Sequence, residues 1–521
     1  MIRQSLVTKT RRGGQSASAS PSAAPIDGWN TRDSDANMKP SYARELNNWY
    51  PRGSEVELRG GMVEFVPDLP GTVSHLLTYA SSTDQELFAV AGSEIINITD
   101  GTYDPEIPGE SLSNNNISYT TVSSLGGTYL AVVNGEDLLR YYNGTAWQSI
   151  SGTGSPSITG IATSAFSYVT VFKRRLWFVE KGSMSGWYLP VNQIGGAATE
   201  FDFGQLFNRG GYLVALAGWS VDGGAGVDDL FAAITSEGEI AVYQGSDPSD
   251  ANNWSLAGVF YVGEPLTKNC LVKYGGDLLL LSKQGLLPLS KLLLSGDINS
   301  ANAMSDRISP TFARAAASYS TTLGWQITVY PKETALIVNV PVVVGSRYDQ
   351  FVMNTQTGAW CSFSGWDGAT FTVWQGALYA GRRSSVVKVW EGTSDLGANI
   401  IGNAKQAYNY LNTRIGKKHM KMLRPHLRTT SNIDVAVGFD VDFTEYTETS
   451  ESYLTLAANA LWDSGVWDTS VWGTDTATQS DWLTAMAPEG YAFSLRLRVE
   501  TNSARVTWNA TDFIFERGGL L

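Results

Sequence analysis

Tyr129-Leu130-Ala131-Val132-Val133-Asn134-Gly135-Glu136-Asp137-Leu138-Leu139 places an apolar run, a polar turn and the start of a second apolar run in direct succession. Neither half has the three-and-four spacing of an amphipathic helix, so the stretch reads as two strands meeting at a turn. Asn134-Gly135 is the expected hairpin turn, because both residue types tolerate positive φ.

The same device recurs along the chain. It appears at Leu87 to Ile96, at Leu176 to Gly182, at Leu230 to Ile234 followed by Glu237 to Ile240, at Leu278 to Gly285 and at Ala377 to Gly381. The recurrences fall roughly 40 to 50 residues apart with one wider gap, which is the spacing of four-stranded propeller blades. Asn143-Gly144-Thr145-Ala146-Trp147 and Asn354-Thr355-Gln356-Thr357-Gly358-Ala359-Trp360 each deliver a tryptophan from a polar turn into a strand. A ring of that size is expected to pack between neighbouring blades. Five to seven blades fit the pattern.

Composition agrees with an all-β body. The 521 residues are 43% hydrophobic and 17% charged, with 53 Gly, 23 Tyr and 17 Trp, a turn-rich and aromatic chain able to bury a large core. The sequence divides into an extended N-terminal arm and framework at 1–60, a β-propeller-like domain at 61–396 and a β-sandwich-like C-terminal domain at 397–521. Residues 1 to 25 are rich in Ser, Ala, Gly and Pro with few large apolar groups, as expected of a flexible arm that is either a disordered tail or orders against a neighbouring subunit. Asn403 to Thr413 is expected to form a short helix.

A formal charge of −13 argues against a protein that grips phosphates, which needs a basic surface. An acidic wall can still pass DNA without holding it. Cys270 and Cys361 are the two cysteines, too few and too far apart for a disulfide framework or a cysteine zinc site. Leu278 to Leu294 is the longest apolar region, but Lys283, Pro288 and Lys291 interrupt it, so no membrane-spanning segment is expected.

Catalytic signatures are sparse. His75, His419 and His426 form no i,i+4 pair, and neither a phosphate-binding loop nor a Gly-x-Ser-x-Gly elbow occurs. No catalytic residue, metal or cofactor is expected. The rival enzyme reading is a propeller glycosidase, which needs two converging carboxylates. The turns that resemble sialidase-type aspartate boxes carry Asn where that pattern wants Asp.

Two local features call for separate readings. Lys405, Arg414, Lys417, Lys418, Lys421, Arg424 and Arg428 form a basic block with no Asp or Glu between Gly397 and Ile433. It admits an ordinary solvated strand edge, an electrostatic dock for an acidic neighbour or a DNA contact. Trp462, Trp467 and Trp472 stand five residues apart, either stapling an irregular loop or offering a surface on which host glycans stack in a receptor-binding tail protein.

Gly28-Trp29-Asn30-Thr31-Arg32-Asp33, then Asn48-Trp49-Tyr50-Pro51 and Val56-Glu57-Leu58-Arg59-Gly60-Gly61, resemble the opening of the tail nozzle, or packaged-DNA stabilisation, family of short-tailed bacteriophages. The Trp repeat and the ending Phe515-Glu516-Arg517-Gly518-Gly519-Leu520-Leu521 extend the resemblance. It implies a non-enzymatic virion protein, assembled in the host cytoplasm, that forms a ring of six copies under the head-to-tail adaptor. Such a ring extends and seals the DNA channel and meets a tail needle or plug and fibre or spike proteins, with double-stranded DNA passing at ejection. It further implies that Asp27, Trp29, Asn30, Arg32, Asp33, Asn48, Trp49, Arg59, Glu516 and Arg517 build a framework facing the adaptor or a neighbouring subunit.

Overall fold

The computed structural model describes residues 17–105, 109–222, 227–250, 252–291, 303–445, 452–456, 477–478, 482–485 and 489–518. Trp462, Trp467 and Trp472 lie outside the described residues.

Short strands closed by tight turns pair with their sequence neighbours, which produces a series of small antiparallel sheets. Seven strands lie innermost, one per sheet: Val73–Ala80, Ser118–Ser124, Phe166–Phe172, Leu213–Asp222, Leu271–Tyr274, Gln326–Tyr330 and Thr370–Trp374. Each packs on the next, and the seventh packs on the first. This closed circuit defines a seven-bladed β-propeller, and we number the blades 1 to 7 in that order. The wider gap in the sequence recurrences is occupied by blade 6, whose strands Ala335–Val343 and Arg347–Asn354 form its middle.

Closure depends on a distant strand. Blade 7 takes its fourth strand from Met62–Val66, which pairs antiparallel with Val386–Val389. The circle is therefore held by hydrogen bonds between segments on either side of the whole propeller sequence, and a blade made of local hairpins alone would stay open.

Residues 17–60 are woven into the remaining domain. Ser18–Ala23 pairs with the C-terminal strand Val506–Arg517, which pairs on its other edge with Lys418–Thr429. A second sheet joins Tyr42–Asn47, Ile400–Gln406, Phe493–Thr501, Ile433–Val441 and Ser452–Leu456. The two sheets pack face to face, with Phe439 of one 5.8 Å from Phe513 of the other. Gly402 permits the contact, since a Cβ there would lie 2.5 Å from Leu58 Cδ1 and 2.8 Å from Trp49 Nε1. Tyr42–Asn47 also pairs with Trp360–Phe363 of blade 6, so propeller and sandwich share one continuous ten-stranded sheet.

Two local expectations are corrected, and one helix is added. Asn403 to Thr413 is no helix: Ile400–Gln406 is a strand paired on both edges, and its alternating burial is concealed by the small residues Gly402 and Ala404. A true helix, α1 (Ser309–Tyr319), stands between blades 5 and 6 with Pro310 in its first turn and Phe312, Ala315 and Ala316 buried. Asn134-Gly135 does not make a two-residue hairpin turn. Only Gly135 takes positive φ, at 77°, while Asn134 Oδ1 accepts the backbone N–H groups of Glu136 and Asp137 at 3.0 and 2.8 Å.

The same side-chain turn explains the two tryptophan-delivering loops. Asn143 Oδ1 accepts from Thr145 and Ala146, and Asn354 Oδ1 accepts from Gln356 and Thr357. Trp147 then packs between Phe88 of blade 1 and Tyr142 of blade 2, at 5.3 and 5.4 Å. Trp360 is buried and donates through Nε1 to the Met304 carbonyl.

Candidate functional site: the framework joining propeller and sandwich

The Gly-x-Asn-x-Arg-Asp stretch folds as a turn around Asn30. Asn30 Oδ1 accepts the N–H groups of Arg32 and Asp33 at 3.0 and 3.1 Å, and its Nδ2 donates to Asp33 Oδ2 at 2.9 Å. This locks two charged side chains facing the turn Asp306–Ile308 that leads into α1. Arg32 donates to Asp33 and pairs with Asp306, Arg307 donates to Asp33 at 3.1 Å, and the N–H groups of Thr31 and Arg32 bond the Arg307 carbonyl. Burial pushes the Asp33 carboxyl up, but the hydrogen bonds from Asn30 and Arg32 and the nearby Arg307 outweigh it and hold it below the usual range.

Trp29 anchors the turn from beneath, donating to the Arg44 carbonyl at 2.9 Å and meeting Phe351 edge-on at 5.5 Å. Gly28 is required there: its φ is 84°, and a Cβ would lie 2.5 Å from the Trp360 carbonyl oxygen. Asp27 accepts from the Ser41 hydroxyl at 2.6 Å.

Arg59 forms the second knot. Its side chain is fully buried, and all five of its N–H donors find acceptors within the chain. Nε donates to Asn48 Oδ1 at 2.9 Å. Nη1 donates to the Gly60 carbonyl and Asp395 Oδ1 at 2.9 Å each, and Nη2 to the Ser364 carbonyl and Asp395 Oδ2 at 2.7 Å each. The guanidinium also lies over the Trp366 ring. One side chain thus ties the start of the closing strand to the end of blade 6 and to the chain leaving the propeller. Asn48, at φ 60°, donates to the Ile401 carbonyl at 2.8 Å and so adds the sandwich to the knot. Trp49 is fully buried and meets Trp508 edge-on at 6.2 Å.

Asn30, Asn48, Trp49 and Arg59 are interior, and the Arg59–Asp395 clamp lies within the subunit. Asp395, Ser364 and Asp306 complete these knots. They were not recognisable in sequence, because each lies hundreds of residues from its partner and belongs to no local pattern.

The basic block is largely neutralised by its own chain. Antiparallel pairing sets Arg424 opposite Asp512, and they bond at 2.6 Å, with His426 on the same carboxylate at 2.9 Å. Lys421 pairs with Glu516 at 3.2 Å, Arg428 with Glu55 at 2.6 Å, and Lys405 with Asp440 and Glu445 at 2.5 and 2.7 Å. Arg414 bonds the Ala36 carbonyl. Lys418 is fully buried and donates to the Thr413 and Tyr491 carbonyls at 2.5 and 2.9 Å; burial lowers its pKa. The block is therefore compensated in charge within its own chain and is not a bare basic surface. Arg414 and Lys418 thus meet carbonyls and no carboxylate, and half-buried Lys417 and exposed Arg517 have no carboxylate partner among the described residues either.

The chain is a seven-bladed β-propeller welded to a β-sandwich. No protein-family model matches it, and no curated protein sequence does either. Among solved structures it is similar to the β-propeller domain of Swd1 from Myceliophteria thermophila, at 9% identity and TM-score 0.37, covering 64% of this chain and 99% of that one. It is also similar to YCF48 bound to a D1 peptide, at 12% identity and TM-score 0.34, covering 64% and 97%. A glycoside hydrolase family 43 arabinoxylan arabinofuranohydrolase from Bacillus subtilis matches at 11% identity and TM-score 0.25, covering 87% and 96%. The propeller assignment rests on the closed circuit of blades and not on these likenesses. No group of three or more metal-ligating side chains converges among the described residues, and no described helix is long and apolar enough to cross a membrane.

Proposed function

We propose that this chain is a structural, non-enzymatic subunit of a short-tailed phage virion, a nozzle that continues the DNA channel below the head-to-tail adaptor and retains the genome until ejection. The observation that carries the reading is where the resembling residues lie. Gly28 to Asp33, Asn48-Trp49 and Arg59 are spent on joining the propeller closure, blade 6 and the sandwich. That is a structural use, the one a non-catalytic framework calls for. The charge supports it: residues 61–396 hold 30 Asp and Glu against 17 Lys and Arg, and the remainder of the chain balances. Because the inner strands hold a single Asp, this acidity lies on the outer parts of the propeller, and an acidic outer face repels phosphate and lets DNA slide past it.

The role is tested by labelling intact virions with an antibody against the chain and imaging them. Label at the neck between head and tail is expected. Label confined to fibre tips would replace this reading with receptor binding, and virions without label would remove it.

A further inference from the structure

In a chain whose propeller is strongly acidic, the axial bore is kept almost free of carboxylates. The seven innermost strands contain no Glu and a single Asp, Asp222, at the last position of blade 4's strand. At the opposite end, where the inner strands of blades 2 to 6 begin, lies a cavity of about 750 Å³ lined by the connections into those blades.

Lys268 crosses this mouth. It precedes the inner strand of blade 5, yet its Nζ donates to the carbonyls of Asn116, at the start of blade 2, and Ser167, in blade 3. An ammonium has three N–H donors, so one is left for the cavity. No described carboxylate pairs with it. Burial, with a smaller contribution from Lys181, pushes its pKa down to about 7. Of the other titratable groups on the lining, Lys181 and Glu136 pair with each other at 3.2 Å, and Tyr212 completes the set. Within the bore, His75 has an Nδ1 with no hydrogen-bond partner, and burial together with Lys268 pushes its pKa down to about 3. The hydroxyls of Thr321 and Thr322 line the same cavity.

A cation whose burial carries a cost and whose third donor is free, facing a polar cavity, is stabilised by an anion that enters beside it. We propose that the axial mouth of the propeller binds one small free oxyanion or carboxylate on Lys268 Nζ. The site lies away from the framework and does not depend on the nozzle reading.

Sulfate and malonate serve as inorganic and carboxylate probes, because both hold their charge between pH 6.5 and 8.5. Calorimetric titration of the full chain is expected to give saturable binding of one ion per chain at pH 6.5. Lys268 must be protonated to bind while His75 stays neutral, so affinity should fall about tenfold per pH unit above pH 7. Lys268→Met should lose at least about tenfold in affinity, Lys181→Met less than about threefold, and Lys268→Arg should bind without the pH dependence because guanidinium keeps its proton. Should Lys268→Met fail to fold, the wild-type pH profile decides alone. Affinity that does not change from pH 6.5 to 8.5, equal binding by folded Lys268→Met, or no saturable heat up to about 20 mM overturns the proposal. Saturation by one probe and not the other assigns the site to that anion class.

Discussion

Replacing Arg59 by methionine keeps an unbranched side chain but removes the guanidinium over Trp366 and five hydrogen bonds at once. The Asp395 carboxylate, only 10% exposed, is left without its bidentate partner, and the Gly60 and Ser364 carbonyls each lose a donor. Asn48 Oδ1 still accepts from the Ser364 N–H at 2.9 Å, so the lost bonds do not add in full. Breaking one side of a buried ion pair costs about 3–5 kcal/mol. At an unfolding entropy of about 2.1 cal/mol/K per residue, a cooperative unit of this length changes Tm by only about 1 °C per kcal/mol, so a fall of about 3–5 °C is expected. Hydrogen exchange is the sharper assay. Arg59 sits beside the closing strand, so the amides of Met62–Val66 and their partners at Val386–Val389 should exchange faster, while blade 3 stays protected. Adding Asp395→Leu to Arg59→Met should recover part of the loss, since an apolar replacement of the whole pair avoids an orphaned charge. A Tm within about 1 °C of wild type with unchanged exchange at 62–66 would refute the role given to this knot.

Other consequences are equally direct. Gly61→Ala would place a Cβ 2.1 Å from the Ser394 carbonyl oxygen, so backbone must move; a loss of about 1–3 kcal/mol is expected in urea denaturation, and a neutral result would contradict the packing at the closure. Cys270 and Cys361 are fully buried, and burial pushes the Cys270 thiol up to about 12 and Cys361 well above its usual value. A thiol-reactive dye at pH 8 should therefore modify neither in native protein and both in urea. Burial pushes the Asp512 carboxyl up, but hydrogen bonds from Arg424 and His426 hold it below the usual range. Its contribution to stability is complete above the unfolded value of about 3.9 and is lost as pH falls through the lower folded value. The stability gap between wild type and Asp512→Asn should close on acidification through that window; a gap of constant size would dismiss the triad.

The propeller was legible because its information is local. A blade is made of hairpins, and side-chain-capped turns such as those at Asn143 and Asn354 announce themselves in sequence. Closure was not legible, since Met62–Val66 and Val386–Val389 are brought together only by the completed circle. The compensation of the basic block was hidden for the same reason: Asp512 and Glu516 lie on a strand nearly ninety residues away that pairs with it as a neighbour in one sheet. Helix α1 offered a readable signal in Pro310 followed by Phe312, Ala315 and Ala316, but it is short and is surrounded by strands. The framework at Gly28 to Arg59 stood out in sequence as a set of residues, whereas its partners at Ser364, Asp395 and Asp306 did not, because burial and not pattern selects them.

The most direct test of the nozzle account is to mix the purified chain with the head-to-tail adaptor of its phage and measure the mass and shape of the product by mass photometry and negative-stain imaging. The account predicts a six-fold ring capping the adaptor with an open axial channel. A chain that remains monomeric and leaves the adaptor unchanged would contradict it.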